Sequence, residues 1–460
     1  MKKISLLIFL LLTPTSLLAH TWHAERANSQ GTASIVYEGV RDLDEWHYLY
    51  RTGRKYEPGV PVWASPALSI IAGHPVAFIG GYDQTMHALD LSQKKVMWRK
   101  ITNGEIQSTA AIYKGVLFFG SSDRTLYALD AKTGNKIWTK ELIKPSSTLD
   151  HAYVSSPFIQ NHKLYITCFA YDKAIPRNQQ KSILYCINPK TGNIIWQEFI
   201  NLGYLSSPIG FIFENKEYIT FSAKRGLLIC LDATDTSPQK VWDYQMPHEV
   251  LATPVISTSA KQPLLFLGSK YGGLVCINAL TSERVWSFMT GSWIDSSACV
   301  GTIDGQDIVY VGSHDYFVYA LEAETGKLLW KKLVGAEVYS SPCFFKANNE
   351  HFICIGSLNN HIYILDAKTG ITITSYFTGQ PIWDKIAKGD TRWGSPTAIS
   401  AGSNTVIIHG SFNNTVFVLP LFKACTVTAM ARSVKSLWIG LIVVLVIFLG
   451  VVLPIVIKFN

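Results

Sequence analysis

The feature that most limits how this chain can fold is a corner that recurs along it. The stretch Ala128-Leu-Asp-Ala-Lys-Thr-Gly-Asn-Lys-Ile-Trp138 returns at 187–196 (INPKTGNIIW), 321–330 (LEAETGKLLW) and 365–374 (LDAKTGITIT), with weaker copies at 89–98, 231–242 and 277–286. An acidic residue or Asn stands eight positions before the Trp in most copies: Asp90 before Trp98, Asp130 before Trp138, Asn188 before Trp196, Asn278 before Trp286 and Glu322 before Trp330. Asp366 marks the copy that ends in Thr374, and Trp242 the most altered one. The flanking runs are short and rich in strand-favouring types. Asp or Asn at the turn entrance bonds its side chain back to the backbone, and Gly134, Gly192, Gly326 and Gly370 on the far side tolerate positive φ. The Trp brings a large apolar face with one donor, which suits a wedge between packed sheets.

A second signature counts the units. Ser65-Pro66, Thr109-Ala110, Ser156-Pro157, Ser207-Pro208, Thr253-Pro254, Ser297-Ala298, Ser341-Pro342 and Ser395-Pro396 make eight beats, whose last positions differ by 44, 47, 51, 46, 44, 44 and 54. A period in the forties with four short strands per unit is propeller spacing. Strand A follows the Ser-Pro pair and strand B ends in Gly-Ser. Strand C ends in Leu-Asp-Ala, and strand D carries the Trp. The eighth unit stops at Pro420 with no Thr-Gly or Trp after it. An open edge there would invite aggregation. The segment Trp46-His-Tyr-Leu-Tyr-Arg-Thr-Gly53 has the look of Trp286-Ser-Phe-Met-Thr-Gly291, so residues 46–51 are expected to supply the missing outer strand. The expected fold is all-β: an eight-bladed propeller of four-stranded blades over residues 44–421.

Composition agrees with a large, strand-rich core: 48% hydrophobic, 12% aromatic, 16% charged, with 13 Trp. The formal charge of +8 falls to +6 if Lys2 and Lys3 are removed, and no run of Lys or Arg forms a stripe, which argues against nucleic-acid binding. Of the eight Cys, Cys186, Cys230 and Cys276 fall at one position of three successive repeats and read as small core fillers. There is no Cys-x-x-Cys, hence no haem-attachment or zinc-ribbon motif.

The ends carry different signals. Residues 1–19 have a basic start, a short apolar core and a terminal Ala19, the architecture of a secretory signal peptide. Residues 20–43 form an N-terminal segment, 422–436 a juxtamembrane linker and 458–460 a tail. Residues 437–457 are uncharged over twenty-one positions, enough to cross a bilayer core of about 30 Å as a helix. The expectation is a single-pass C-terminal anchor in the cell membrane with the propeller on the extracytoplasmic, periplasmic side. Lys423, Arg432 and Lys435 stand on the outer side of that span, against the positive-inside tendency, which governs large translocated domains weakly.

The Asp-Ala-x-Thr-Gly-x-x-x-Trp corner resembles that of the pyrroloquinoline-quinone-type (PQQ-like) propeller repeats. The resemblance covers about residues 44–421 and implies eight blades. Two kinds of protein in that superfamily are similar to this chain: the quinoprotein dehydrogenases, and the noncatalytic propeller of the outer-membrane barrel-assembly machinery. The first kind implies PQQ, Ca²⁺ and a catalytic Asp, often with adjacent Cys. This chain has no Cys-Cys pair, and Asp295 has no Asn or Glu neighbour in register to complete a Ca²⁺ set. No catalytic residue, cofactor or metal ligand is assigned. The repeated Ser-Ser reads as strand-start hydrogen bonding. The functional expectation is an interaction scaffold for proteins or peptides of the cell envelope, acting in envelope or outer-membrane protein assembly. A PQQ-dependent oxidoreductase, intact or degenerate, is the alternative, and a carbohydrate-binding propeller the second.

Loop placement points to one face. The insertions at 141–150, 169–182 and 380–392 all join D to the next A or B to C, which share a side of a propeller. The residue three before the end of each Ser-Pro beat is expected at the channel mouth: Trp63, Gln107, Val154, Leu205, Leu251, Asp295, Tyr339 and Trp393. With the ring closed, Tyr339, Trp393 and Trp63 would form an aromatic arc, with Asp295 and Gln107 as polar members of the same rim.

Overall fold

In the first complete repeat the chain lays down strand A at Ala67–Ile71, B at His74–Gly80, C at Thr85–Asp90 and D at Lys95–Ile101, hydrogen-bonded in that order. The same meander follows at 111–141, 158–199, 209–245, 255–289, 299–333 and 343–377, making blades two to seven. Blade eight takes strands A to C from 397–420. The computed structural model describes residues 34–37, 46–49, 64–144, 149–176, 180–200, 202–223, 225–258, 262–377, 395–401, 404–410 and 415–421.

Burial follows sequence pattern strand by strand. Strands B and C are covered on both faces by neighbouring blades, so they read as continuous apolar runs such as Leu264–Gly268 and Gly273–Asn278, buried throughout. Strand D lies at the rim and alternates: Leu328–Leu333 is exposed or half-buried by turns. A bulge in the C–D pairing falls at the same point of blades one to seven, for instance between Ala320 and Leu321. Cys186, Cys230 and Cys276 are fully buried and free in strand C, as small core fillers.

The repeated corner is the joint between blades. Asp130 Oδ1 accepts from the Thr133 amide and hydroxyl, both at 2.8 Å, and Asp366 does the same for Thr369. The turn then passes through a glycine at positive φ (Gly134 71°, Gly326 71°). That glycine has a second reason to lack a side chain. The Trp ring of the preceding blade lies on it, and a Cβ would stand 2.6 Å from Trp98 at Gly134 and 2.6 Å from Trp286 at Gly326. Gly192 and Gly370 sit likewise under Trp138 and Trp330. The rings of Trp98, Trp138, Trp286 and Trp330 are each backed by an aromatic of their own strand B, and these four and Trp242 donate Nε1 to a carbonyl of the next blade. The acceptors are Ala131 for Trp98, Pro189 for Trp138, Ala279 for Trp242, Ala323 for Trp286 and Ala367 for Trp330, at 2.9–3.1 Å.

The seam between blades three and four departs from this. Trp196 is buried, but its Nε1 has no hydrogen-bond partner, and the turn after Asp232 has no Thr-Gly. The carbonyl of Ala233, counterpart of Ala131 and Ala323, instead accepts from Lys163 Nζ at 2.7 Å. Lys163 also pairs at 2.9 Å with Glu217, whose side chain is 3% exposed and accepts from Tyr165 Oη at 2.8 Å. An ammonium has replaced an indole at one carbonyl.

Around the axis the Ser-Pro beats form a belt. The amide of Ser297 donates to Ser341 Oγ, that of Ser341 to Ser395 Oγ and that of Ser395 to Ser65 Oγ, at 3.0–3.1 Å, which joins the last blade to the first. Matching links run from Ser65 to Thr109, Thr109 to Ser156, Ser156 to Ser207 and Thr253 to Ser297. The preceding Ser bonds its own strand B: Ser296 Oγ donates to the Gly312 carbonyl at 3.1 Å. The Ser-Ser pairs are thus strand-start hydrogen bonding.

The N-terminal side contributes two strands to blade eight. β2 (Trp46–Leu49) pairs antiparallel with strand C, Thr415–Pro420, with Trp46 opposite Val418, and so takes the outer position. β1 (Ser34–Tyr37) pairs parallel with strand A, Thr397–Ala401, on its other edge. Because the A strands line the axis, β1 lies inside the ring, beside the A strands of blades seven and one. Nothing in the sequence reading anticipated this inner strand. Residues 421–460 form a second unit, of which Leu421 alone is described. Among the described residues no helix is long and apolar enough to cross a membrane. The signal peptide (1–19), linker (422–436), span (437–457) and tail (458–460) lie outside them.

Candidate functional site: the channel mouth

The loops joining D to the next A and the turns joining B to C meet on one face, and in the regular blades two positions build its rim. The first is the residue after Gly-Ser in the B–C turn, or after Gly-Gly in blade one: Tyr82, Ser122, Lys270, His314 and Leu358. Its amide donates to a D–A loop carbonyl, from Ser122 to Glu105, Lys270 to Glu249, His314 to Trp293 and Leu358 to Glu337, at 2.9–3.0 Å. The second is the loop residue two further on: Gln107, Leu251, Asp295 and Tyr339. A buried apolar neighbour locks each loop. Ile106, Ile294 and Val338 press on the strand-end glycines Gly80, Gly268 and Gly312, where a Cβ would come within 2.3, 2.3 and 2.2 Å. The backbone is constant and the side chains it presents are not.

Blades five to seven carry the chemistry of the rim. Asp295, with 1% of its side chain exposed, has neither carboxylate oxygen hydrogen-bonded. His314 brings Nε2 to 3.5 Å from Asp295 Oδ2, and that nitrogen also lacks a hydrogen bond. Burial raises the Asp295 carboxyl to about 6 and lowers the His314 imidazole to about 4. Both shifts disfavour charge, so the 3.5 Å approach sets a carboxylate beside a neutral imidazole and is no ion pair. The Tyr339 ring lies 3.9 Å, centroid to centroid, from His314, and the Trp293 ring 5.7 Å from it. Trp293 is 44% exposed. Lys270, whose charge bears on Asp295, lies 3.3 Å from Glu249 and 5.3 Å over the Trp293 ring.

The predicted rim residues are only partly brought together. Asp295 and Tyr339 meet through His314. Gln107, on blade two across the ring, belongs to a separate group: its Nε2 donates to Tyr82 Oη at 2.8 Å and to Glu105 at 3.1 Å, while its Oε1 is buried without a hydrogen bond. Burial raises the Glu105 carboxyl. Trp63 and Trp393 lie outside the described residues, so of the aromatic arc only Tyr339 can be located. Two positions need correction. Val154 presses on Gly120, where a Cβ would come within 2.3 Å of it, and so holds the place of Ile294 rather than that of Asp295, because the stretch from it to the Ser-Pro pair is one residue shorter. Leu205 is buried in a bridge to Ala223. The insertions around 149–154 and 169–181 are one structure: Leu149–Val154 pairs with the long strand Lys163–Asp172, which extends blade three. The insertion at 380–392 lies outside the described residues.

His314, Lys270 and Trp293 were missed by sequence reasoning. The usable signal was the variable residue after Gly-Ser in an otherwise regular turn. As for the quinone and Ca²⁺ of the dehydrogenases, no group of three or more His, Cys, Asp or Glu among the described residues could hold a metal ion. Ca²⁺ takes about six to eight oxygens, and Asp295 with an imidazole beside it does not fit that set.

The family model described as outer membrane protein assembly factor BamB matches residues 59–288 and 271–421. No curated protein sequence matches the chain. Among solved structures, a europium-containing methanol dehydrogenase superposes with a TM-score of 0.61 at 12% identity, over 85% of this chain and 90% of that one. Quinohemoprotein alcohol dehydrogenase from Comamonas testosteroni gives 0.63 at 10% identity, over 87% and 80%. BamB from Moraxella catarrhalis gives 0.52 at 16% identity, over 76% and 95%. At such identities these likenesses speak to the fold. The family match spans most of the chain, which therefore belongs to the BamB-like, PQQ-type β-propeller family.

Proposed function

We propose that this protein is a noncatalytic interaction scaffold of the cell envelope, whose channel mouth captures an extended segment or loop of a partner protein during envelope protein assembly. The observation that carries this reading is the rim at blades five to seven. A fixed backbone there presents a buried carboxylate and an imidazole Nε2 without hydrogen bonds, beside Tyr339 and half-exposed Trp293. Leaving buried polar atoms unmade costs about 1–3 kcal/mol each, which a docking partner can recover. Aromatic anchors around a desolvated polar centre are the usual make-up of a binding hot spot. The inner edge of blade eight, which holds β1 as an added strand, is further support, because it accommodates an extended chain along the axis. The family's described role in outer membrane protein assembly supports the envelope setting. The signal peptide and the apolar span 437–457 belong to the same proposal, with the propeller periplasmic and the anchor in the cell membrane.

A photo-cross-linking residue at Trp293 or Tyr339 in intact cells should give discrete protein adducts, whereas one at Asp304 or Lys368, an exposed pair on the opposite face, should give none. Equal labelling from both faces would remove the mouth from the account. The second reading, a PQQ-dependent oxidoreductase, is favoured by the superposition on two dehydrogenases. Quinone-dependent dye reduction by purified protein supplied with PQQ and Ca²⁺ would establish it in place of the scaffold.

A further inference from the structure

The described surface offers few groups whose polar atoms are buried and uncommitted. The cleft lined by Gln306, Asp307, Glu322 and Glu324 is acidic, but Asp307 is already satisfied by Ser257 and by Thr302 at 2.6 Å. At the Lys163–Glu217 seam the charges neutralise each other. Among the described residues, only Asp295 is a buried carboxylate at the rim with both oxygens unused.

Its neighbours define what is missing. His314 donates nothing to it, and Lys270 is held by Glu249 and the Trp293 ring. A partner for this site must bring positive charge or N–H donors. One carboxylate and one imidazole are too few for a hard divalent cation, which collects several oxygens. The flanking Tyr339 and Trp293 rings are poor metal neighbours but good ones for an organic cation, which is attracted to the ring face. An alkylammonium or guanidinium fits all of these.

We infer that Asp295, with His314, Tyr339 and Trp293 around it, is a receptor for one cationic side chain, a Lys or Arg, of the bound partner. This rests on the scaffold reading and adds the chemical class of the group that enters first. The ammonium donates to the Asp295 oxygens and to the free nitrogen of His314, while its alkyl stem lies along Tyr339 and the indole. The titratable and charged groups that bear on Asp295 are His314 from its own blade's B–C turn, Lys270 from the turn of blade five, Glu249 from the loop ahead of that blade, and Tyr339 from the loop ahead of blade seven. Docking requires the ionised carboxylate, so affinity should fall as pH drops below about 6.

The full-length protein, with its His side chains isotope-labelled, is titrated with n-butylammonium, n-butylguanidinium, n-butanol and Ca²⁺ while the His314 imidazole is followed by NMR. The two cations should shift the His314 signals saturably, and butanol should not. Asp295→Asn should weaken the response about tenfold or more, as expected for loss of a charge-assisted bond. Equal shifts with butanol, or none with either cation, would overturn the assignment. So would saturable Ca²⁺ binding that displaces butylammonium, which would make this a metal site. Should the cations fail while cross-linking from Trp293 persists, the receptor for a basic side chain is lost and the scaffold reading stands.

Discussion

The corners between blades and the loops that rim the channel are products of the same repeat, yet they treat polar atoms in opposite ways. At the seam between blades five and six, the Trp286 indole finds the Ala323 carbonyl at 2.9 Å, and Gly326 clears space for its ring. A few residues away, at the end of the same blade, Asp295 and His314 carry three buried polar atoms with no hydrogen bond. The seam is nearly identical in blade after blade because it must close a ring; the mouth differs in each because nothing in the ring depends on it. On the proposed reading, stability and recognition fall to different positions of one unit.

The sharpest way to break the seam half of the comparison is where it departs from pattern. Lys163→Met removes the cation that serves both Glu217 and the Ala233 carbonyl and leaves the carboxylate buried without its charge partner. A loss of about 3–5 kcal/mol in denaturant unfolding is expected, and Lys163→Met with Glu217→Met together should recover much of it. A single variant with unchanged stability would mean that the Lys163 contact is incidental.

Gly326→Ala comes next. The substitution places a Cβ 2.6 Å from the Trp286 ring at a φ of 71°, and about 3 kcal/mol should be lost from the combined overlap and strain. Gly305, at a φ of 78° with nothing within 4 Å, is the control: Gly305→Ala should lose only the smaller backbone part, about 1 kcal/mol.

Much of the seam was legible in the sequence, because the Asp, Thr, Gly and Trp of the corner each answer one local demand and repeat. The eight Ser-Pro beats likewise gave the blade count. The inner strand at Ser34–Tyr37 was not legible: a four-residue parallel pairing on an axial edge leaves no periodic mark. Val154 was misplaced because counting back from Ser-Pro cannot see that the stretch ahead of that pair is one residue short; only the contact with Gly120 identifies it. Asp295 was legible as a departure from the repeat, whereas His314 was hidden in a turn that looks regular until the copies are aligned through its hydrogen bonds.

The central claim is that the mouth gives up stability to keep its polar atoms free for a ligand, and the smallest expected effect tests it most directly. With its folded carboxyl raised to about 6 by burial from its ordinary value of 3.8, Asp295 binds protons in the native state that the unfolded chain has lost. Its contribution to stability therefore falls as pH rises between about 4 and 6. His314, lowered to about 4 from 6.5, acts in the opposite sense, adding stability as pH rises from about 4 to 6.5. The two slopes nearly cancel in the native protein. Thermal unfolding of Asp295→Asn across this range should show stability that rises with pH and at pH 7 exceeds the native protein by about 2 kcal/mol: the shift corresponds to about 3, less about 1 for burying the amide. Partner cross-linking from Trp293 should be lost in the same variant. A variant less stable than the native protein at pH 7 would make Asp295 a structural residue and contradict the account.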